Sequence, residues 1–336
     1  MQNSLIEWTD HTLNFWWGCT KVSPACQHCY AESVAKVFGK RLFGTVPTWG
    51  PGQPRFQRLE AARKEAIKLN NKPRICTGCG YVGPKRTKEC PNGCGSDTWR
   101  SHRIFVNSMS DWLDPEVPIE WLAYLLETIH LCPNLDFQLL TKRPENWERQ
   151  ITKALEQVEP EKRHGHWLDQ WLYVHAPYNV QIGTTVEDQT RADQRLPHLL
   201  QIPARIRFLS CEPLLGPVDL AAHLPVSAEG VSPSPSLPLH WLIAGGESGG
   251  QARPTHPDWF RSLRDQCAAA HVPFFFKQWG EYISVDNIKH CTSEKARLDH
   301  GYKGHKFPDG KIMIRLGTDH TGRLLDGHLH DAFPKV

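Results

Sequence analysis

Residues 179–213, NVQIGTTVEDQTRADQRLPHLLQIPARIRFLSCEP, run from one short apolar stretch to another through a polar, helix-like one. Residues 179–183 read as a buried strand, 189–200 as a helix and 205–209 as the next strand. A crossover of that length brings the chain back in its original direction, so the spacing predicts a parallel β/α unit. The rhythm continues on both sides. Upstream are a strand at 103–107, a helix at 118–131 with Leu122, Leu125, Leu126 and Ile129 on one face, a strand at 136–140 and a helix from 145 onward. Downstream are a strand at 241–244, a helix at 257–270 and a last buried strand at 272–276. With the aromatic, strand-like run 13–17 at the front, six or seven units predict an α/β fold. A full or partial (β/α) barrel is the first expectation and an open doubly wound sheet the alternative.

Two cysteine clusters interrupt this rhythm. Cys19, Cys26 and Cys29 fall within eleven residues, between the run 13–17 and a helix-like stretch at 31–38. Three thiolates suit a [4Fe–4S] cluster, because they leave one iron open. Half of a zinc site and a thioredoxin-like redox pair at Cys26/Cys29 are the alternatives; the pair leaves Cys19 unexplained and zinc needs a fourth ligand. The second cluster is Cys76, Cys79, Cys90 and Cys94, each close pair followed by a glycine. Two such turns match a four-thiolate zinc ribbon. Lys85, Arg86 and Lys88 lie between the knuckles and read as a solvated face or as a contact to nucleic acid.

These features divide the chain into a first unit at 1–40, an insertion carrying the ribbon at 41–102, the remaining β/α units at 103–281 and a polar, glycine-rich appendage at 282–336. Hairpin signals in the appendage are expected at 307–310 and at Thr321-Gly322. A hydrophobic content of 40% is ample for a core, and a net charge of +3 is compatible with an anionic partner without arguing for one. No apolar run approaches 18 residues and the N-terminal twelve residues lack an apolar core, so neither a membrane span nor a signal peptide is expected. Eleven cysteines, seven of them in two clusters, point to metal binding in a reducing cytoplasm and not to a disulfide framework.

In parallel β/α folds the working groups come from the C-terminal ends of the strands. Here those ends carry Ser108, Ser110 and Asp111, then Lys142 and Arg143, Thr184 and Glu187, Cys211 and Glu212, Gly245, Gly246 and Glu247, and Lys277. A serine, threonine or aspartate there can cap the next helix, and any single charge can form a salt bridge. A full ring of charges is hard to explain by capping, since Lys142, Glu187, Glu212, Glu247 and Lys277 are poor caps. Together they read as an active site.

The Cys19/Cys26/Cys29 segment, closed by Tyr30 and leading into β/α units, resembles the radical S-adenosylmethionine superfamily. Its first gap, six residues, departs from the commonest C-x3-C-x2-C spacing. A closer resemblance covers nearly the whole chain. The stretches IEWTD (6–10), GCTKVSPACQHCYA (18–31), RIFVNSMSDW (103–112), FQLLTKRP (137–144), IRFLSCEPLLGP (206–217), GGESG (245–249), ARP (252–254) and PFFFKQWGEY (273–282) are similar to the phage-associated three-Cys-motif family. That resemblance implies a [4Fe–4S] cluster on Cys19, Cys26 and Cys29, with S-adenosylmethionine chelated to its open iron and cleaved to a 5′-deoxyadenosyl radical. It implies cofactor contacts from Ser108, Ser110 and Asp111, where the superfamily's usual Gly-Gly-Glu is missing. Glu187 and the late Gly245-Gly246-Glu247 are further cofactor candidates. Lys142, Glu212 and Lys277 are catalytic or substrate-holding candidates. Cys211 is a hydrogen-atom donor or a buried apolar position; the family pattern has Leu there. An electron donor such as flavodoxin or ferredoxin, and a partner protein encoded nearby, are implied as well.

The first functional reading is therefore a radical enzyme modifying a nucleic-acid base or nucleotide, supported by the ribbon, the mild basicity and thirteen tryptophans able to stack on bases. The second is a non-enzymatic zinc-binding interaction module on a β/α scaffold, which leaves the charged strand ends unexplained. A zinc deaminase, suggested by Pro24-Ala25-Cys26 and Cys29, lacks the upstream H-x-E, since His11 is followed by Thr12 and Leu13.

Overall fold

Short runs rich in Ile, Leu, Val and Phe form the central strands, because both faces of a parallel sheet are covered and tolerate no alternation of polar residues. In the computed structural model, which describes residues 4–47, 49–72, 74–83, 90–96, 98–224, 238–292 and 304–334, seven strands make one sheet. They are β1 (His11–Leu13), β2 (His102–Val106), β3 (Leu135–Thr141), β4 (Val180–Thr185), β5 (Ile206–Cys211), β6 (Trp241–Gly245) and β7 (Phe274–Gln278). Every residue of β4, β5 and β6 is buried. The strands lie in chain order and run parallel, with Ile104 opposite His11 and Phe137, and Ile243 opposite Ser210 and Phe275. No strand reverses that order, so there is no switch point and the doubly wound alternative falls. β1 and β7 remain the ends of the order. The architecture is the partial β/α barrel.

Helices occupy the predicted crossovers: α1 (Tyr30–Phe43) and α2 (Leu59–Asn70) between β1 and β2, α3 (Ile119–Leu131), α4 (Trp147–Glu156), α5 (Gln189–Leu199) and α6 (Pro257–Ala269). In α3 the four predicted face residues are each no more than 2% exposed. Each such burial stabilises by roughly 1.5–3 kcal/mol as an upper estimate.

Three local expectations needed correction. The run 13–17 is not one strand: Leu13 ends β1, and Trp16–Trp17 pairs antiparallel with Phe56–Gln57. Asn14 breaks the run, because its Oδ1 accepts the Met109 N–H, while the Phe15 N–H is taken by Asn107 Oδ1. Helix α1 continues beyond residue 38, through Gly39, because Pro47 packs where a Cβ would stand, 2.2 Å away. Thr321-Gly322 closes a helical turn, Thr318–Thr321, and the hairpin sits instead at Asp326-Gly327, between Leu324–Leu325 and His328–Leu329. Both turn residues have positive φ, 53° and 83°, the geometry that favours Asp-Gly.

The chain divides into two compact units: Met1–Thr20, Ala35–Leu140 and Asn146–Gln181 in the first; Lys21–Val34, Thr141–Glu145 and Ile182–Val336 in the second. The core of the first includes Phe15, Trp16, Trp112, Phe137 and Trp171; that of the second includes Phe208, Trp241, Phe260, Phe276 and Trp279. The appendage belongs to the second unit, where Tyr282–Ser284, Ile312–Arg315 and Gly304–Lys306 form a small antiparallel sheet with the 312–315 strand in the middle. The outer edge of β7 is covered there, by an antiparallel bridge from Phe275 to Asp331. No helix among the described residues is long and apolar enough to cross a membrane.

Candidate functional site

The four ribbon cysteines lie in the first unit, on turns of the small sheet formed by Arg74–Cys76, Val82–Gly83 and Trp99–Arg100. Gly80, Gly93 and Gly95 have φ near +70°, which lets each knuckle reverse within a few residues. The Cys76 and Cys94 sulfurs are 3.6 Å apart, as are those of Cys79 and Cys90, and all four lie within 4.8 Å of one another. The Tyr81 N–H and the Asn92 amide hold the Cys79 thiol below its ordinary range. Four converging sulfurs could hold a metal ion, and zinc is the ion this donor set suits. Lys85, Arg86 and Lys88 fall outside the described residues.

Cys19 also belongs to the first unit, at the end of a segment stitched to the loop after β2. Asn107 takes a φ of 56° and its N–H donates to Leu13 O. Asn14 donates to Ser108 Oγ, Ser110 Oγ donates to Trp16 O, and the Gly18 N–H donates to Met109 O. Asp111 Oδ1 accepts the Leu113 N–H. Ser108, Ser110 and Asp111, cofactor candidates by sequence, thus hold their own loop and the approach to Cys19. A second brace is buried: Arg55 Nε and Nη2 donate to Asp114 Oδ2 at 3.1 and 2.9 Å, and Nη2 also reaches Thr20 Oγ1. The Gly50 N–H closes the brace on Cys19 O.

Cys26 and Cys29 lie in the second unit. Pro24–Cys26 is a single 3-10 turn with the Cys26 N–H on Ser23 O, and α1 starts at Tyr30. Two strand ends reach this turn. After β4, Glu187 is fully buried; one carboxylate oxygen accepts the Ala25 N–H at 3.3 Å and the other pairs with Arg195 at 2.8 Å. After β6, Glu247 receives Arg253 through Nε at 2.8 Å, a second bond from Nη2 and a third from the Arg253 backbone N–H. Arg253 Nη2 continues to Pro24 O at 3.0 Å, and Nη1 to the Gln27 side chain at 3.3 Å. His28 Nδ1 lies 3.5 Å from Glu247. Burial pushes the Glu247 carboxyl up, but the Arg253 hydrogen bonds outweigh it, so the group sits below its ordinary range. Gly246 and Gly280 permit the crossing beneath: a Cβ on Gly246 would meet Trp279 O at 1.9 Å.

The other strand ends of the second unit are placed as follows. Lys277 Nζ donates to Glu212 Oε1 at 2.6 Å, both side chains being less than a fifth exposed. Gly245 lies under this pair, its missing Cβ 3.3 Å from the Glu212 carboxyl carbon. Thr184 donates to Thr141 O, while Thr185 Oγ1 is buried with no hydrogen-bond partner among the described residues. Arg143 is buried and Lys142 half-buried. Cys211 ends β5 fully enclosed; burial, and then Cys267 nearby, push its thiol far up.

None of the eleven cysteines, all of them described, is in a disulfide, and Cys19, Cys26 and Cys29 are each half-buried. Each of the three is a soft sulfur donor that solvent can reach, the donor type an iron–sulfur cluster takes. Among the described residues, the group with ligand spacing besides the four-thiolate one is His256, Asp258 and Asp309. Both nitrogens of His256 have protein partners, Nδ1 the Asp258 N–H at 3.2 Å and Nε2 Asp309 at 2.9 Å, so the group caps α6. Sequence reading missed Arg195, Arg253 and the Arg55–Asp114 brace. The ARP run at 252–254 holds Arg253, and nothing in its neighbours marks the carboxylate it meets.

Residues 3–334 match the family model described as "Protein of unknown function (DUF5131)". None of the curated proteins matches the chain. Among solved structures, a mutant of spore photoproduct lyase is similar at 10% identity and a TM-score of 0.38, covering 92% of this chain and 69% of that one. Spore photoproduct lyase complexed with dinucleoside spore photoproduct is similar at 12% identity and a TM-score of 0.35, covering 91% and 68%.

Proposed function

The chain belongs to the family described as "Protein of unknown function (DUF5131)", and on that premise we propose that it is a cytoplasmic radical S-adenosylmethionine enzyme modifying a nucleic-acid base or nucleotide. The observation that carries this reading is the Cys26/Cys29 turn, seated on two strand ends of the second unit by Glu187 and Glu247 with their arginines. Cys19, Cys26 and Cys29 would hold a [4Fe–4S] cluster. Such a cluster would supply the one-electron reduction of S-adenosylmethionine to methionine and a hydrogen-abstracting 5′-deoxyadenosyl radical, the electron coming from a flavodoxin- or ferredoxin-type donor.

The chain's own residues do the positioning. Ser108, Ser110 and Asp111 hold the approach to Cys19, and Glu187 and Glu247 hold the turn carrying the other two thiols. Lys277 and Glu212 form a partly solvated pair over Gly245, where a ligand carrying both an anionic and a cationic group would leave both charges matched. Lys142 adds a second cation suited to a phosphate. Cys211, enclosed and held protonated, serves packing in this reading. The four-thiolate group would hold structural zinc. The resemblance to the phage-associated three-Cys-motif family belongs to the same reading.

A second reading, a non-enzymatic zinc module, is favoured by the four-thiolate group alone and gives Cys19, Cys26 and Cys29 no work. Metal analysis of protein purified without oxygen separates the two. The expected result is about one zinc and about four irons per chain with matching sulfide. Reductant should then release 5′-deoxyadenosine from S-adenosylmethionine, and Cys26→Ala should lose both the iron and that product. A colourless protein with about two zincs and no iron would overturn the radical reading.

A further inference from the structure

We propose that Arg253 is a positioning residue that keeps the Cys26/Cys29 turn in its ligand-ready form before any metal arrives. The proposal deepens the cluster assignment and rests on it for the identity of the metal. Adjacent backbone groups of the turn are bound from opposite sides: Pro24 C=O accepts from Arg253 and the Ala25 N–H donates to Glu187. A segment with few internal bonds is ordinarily mobile, and among the described residues the turn's own bonds are the Cys26 and Gln27 N–H bonds and a 3.8 Å contact of Ser23 Oγ with Cys26 Sγ. Its order therefore draws on the two anchors, beside the His28 contact to Glu247 and the Lys21–Glu32 pair that spans the segment.

The anchors differ in kind. Glu187 is wholly enclosed with Arg195, so it belongs to the packed interior. Arg253 is a quarter exposed and reaches three partners at once: the Glu247 carboxylate, Pro24 O and Gln27 Oε1. Only a planar fork of donors spans that set; a lysine ammonium could keep the Glu247 pair but not all three contacts. Glu247 itself is 5% exposed and oriented by the Arg253 backbone N–H, so the fork is fixed from behind. A turn held in this way loses less ordering entropy when it takes up metal.

The test uses the full chain in its iron-free form. In the wild type, the Ala25 amide should exchange with deuterium at least tenfold more slowly than an unstructured amide, and the Cys26 and Cys29 peptides should react slowly with iodoacetamide. Arg253→Gln should speed that alkylation by about ten- to a hundredfold, the factor carried by one lost charge-assisted hydrogen bond, and Arg253→Lys should fall between. Iron retained after anaerobic reconstitution should follow the same order. Free exchange at Ala25 in the wild type would overturn the proposal without any variant. So would equal alkylation rates in wild type and a folded Arg253→Gln protein. Because exchange and alkylation are read without iron, they stand apart from the cluster assignment, which fails only if the wild type takes up no iron.

Discussion

His11 and His102 face each other inside the first unit, Nε2 to Nδ1 at 3.2 Å, at the starts of β1 and β2. Burial, and then His102, lower the His11 imidazole to about 4. Above about pH 6.5 the ring is neutral folded or unfolded and contributes nothing to pH dependence. Between 6.5 and 4 only the unfolded chain takes up the proton, so stability falls with pH, by roughly 3 kcal/mol once pH 4 is passed. Thermal melting from pH 7.5 to 4.5 should therefore show a shallower decline in His11→Gln than in wild type. At the same scale, Glu187 and Glu247 were legible as strand-end carboxylates but not as loop anchors. Any glutamate can pair with any arginine, and Arg253 stands 229 positions from Pro24. No local pattern encodes that choice.

Among the elements, the crossing of residues 245–247 and 279–281 is the least tolerant of added volume. Gly246→Ala would drive a Cβ into Trp279 O and should cost about 2–3 kcal/mol. Gly250→Ala, four residues on, meets nothing within 4 Å and should stay within about 0.5 kcal/mol of wild type. Chemical denaturation of the two variants side by side checks the contrast. Elements with a strong period, such as α3 and α5, appeared within a residue or two of their predicted ends. Elements whose ends depend on a side chain from elsewhere did not. Asn107 takes the Phe15 N–H out of the expected 13–17 strand, and Pro47 lets α1 pass Gly39. The Asp326-Gly327 turn was an available signal that reading by composition passed over.

For the molecule as a whole, the two cysteine sets share no residue, and the four-thiolate group closes within the first unit. Their metals should then be lost separately. Cys90→Ser should lose zinc and keep iron, and Cys26→Ser should lose iron and keep zinc; elemental analysis of each purified variant decides. Joint loss would mean that the two sets fold as one. Seven strands in chain order make this independence natural, since an insertion between β1 and β2 leaves the rest of the order unchanged.

What the sequence determined by itself is whatever short-range chemistry controls: the apolar strand runs, the helical periods between them, the parallel β/α order and the spacing of both cysteine clusters. Those signals act over a few residues, and steric and solvation preferences read them directly. Only the tertiary structure decided that the sheet stays an open, partial barrel. It also decided that Ser108, Ser110 and Asp111 hold loops, that Glu187, backed by Arg195, holds the Cys26/Cys29 turn directly at Ala25, and that Glu247 acts on it through Arg253. The reason is physical. A buried carboxylate must find a partner, and which cation meets it depends on how distant strand ends come together, a choice settled by packing and not by neighbours in sequence.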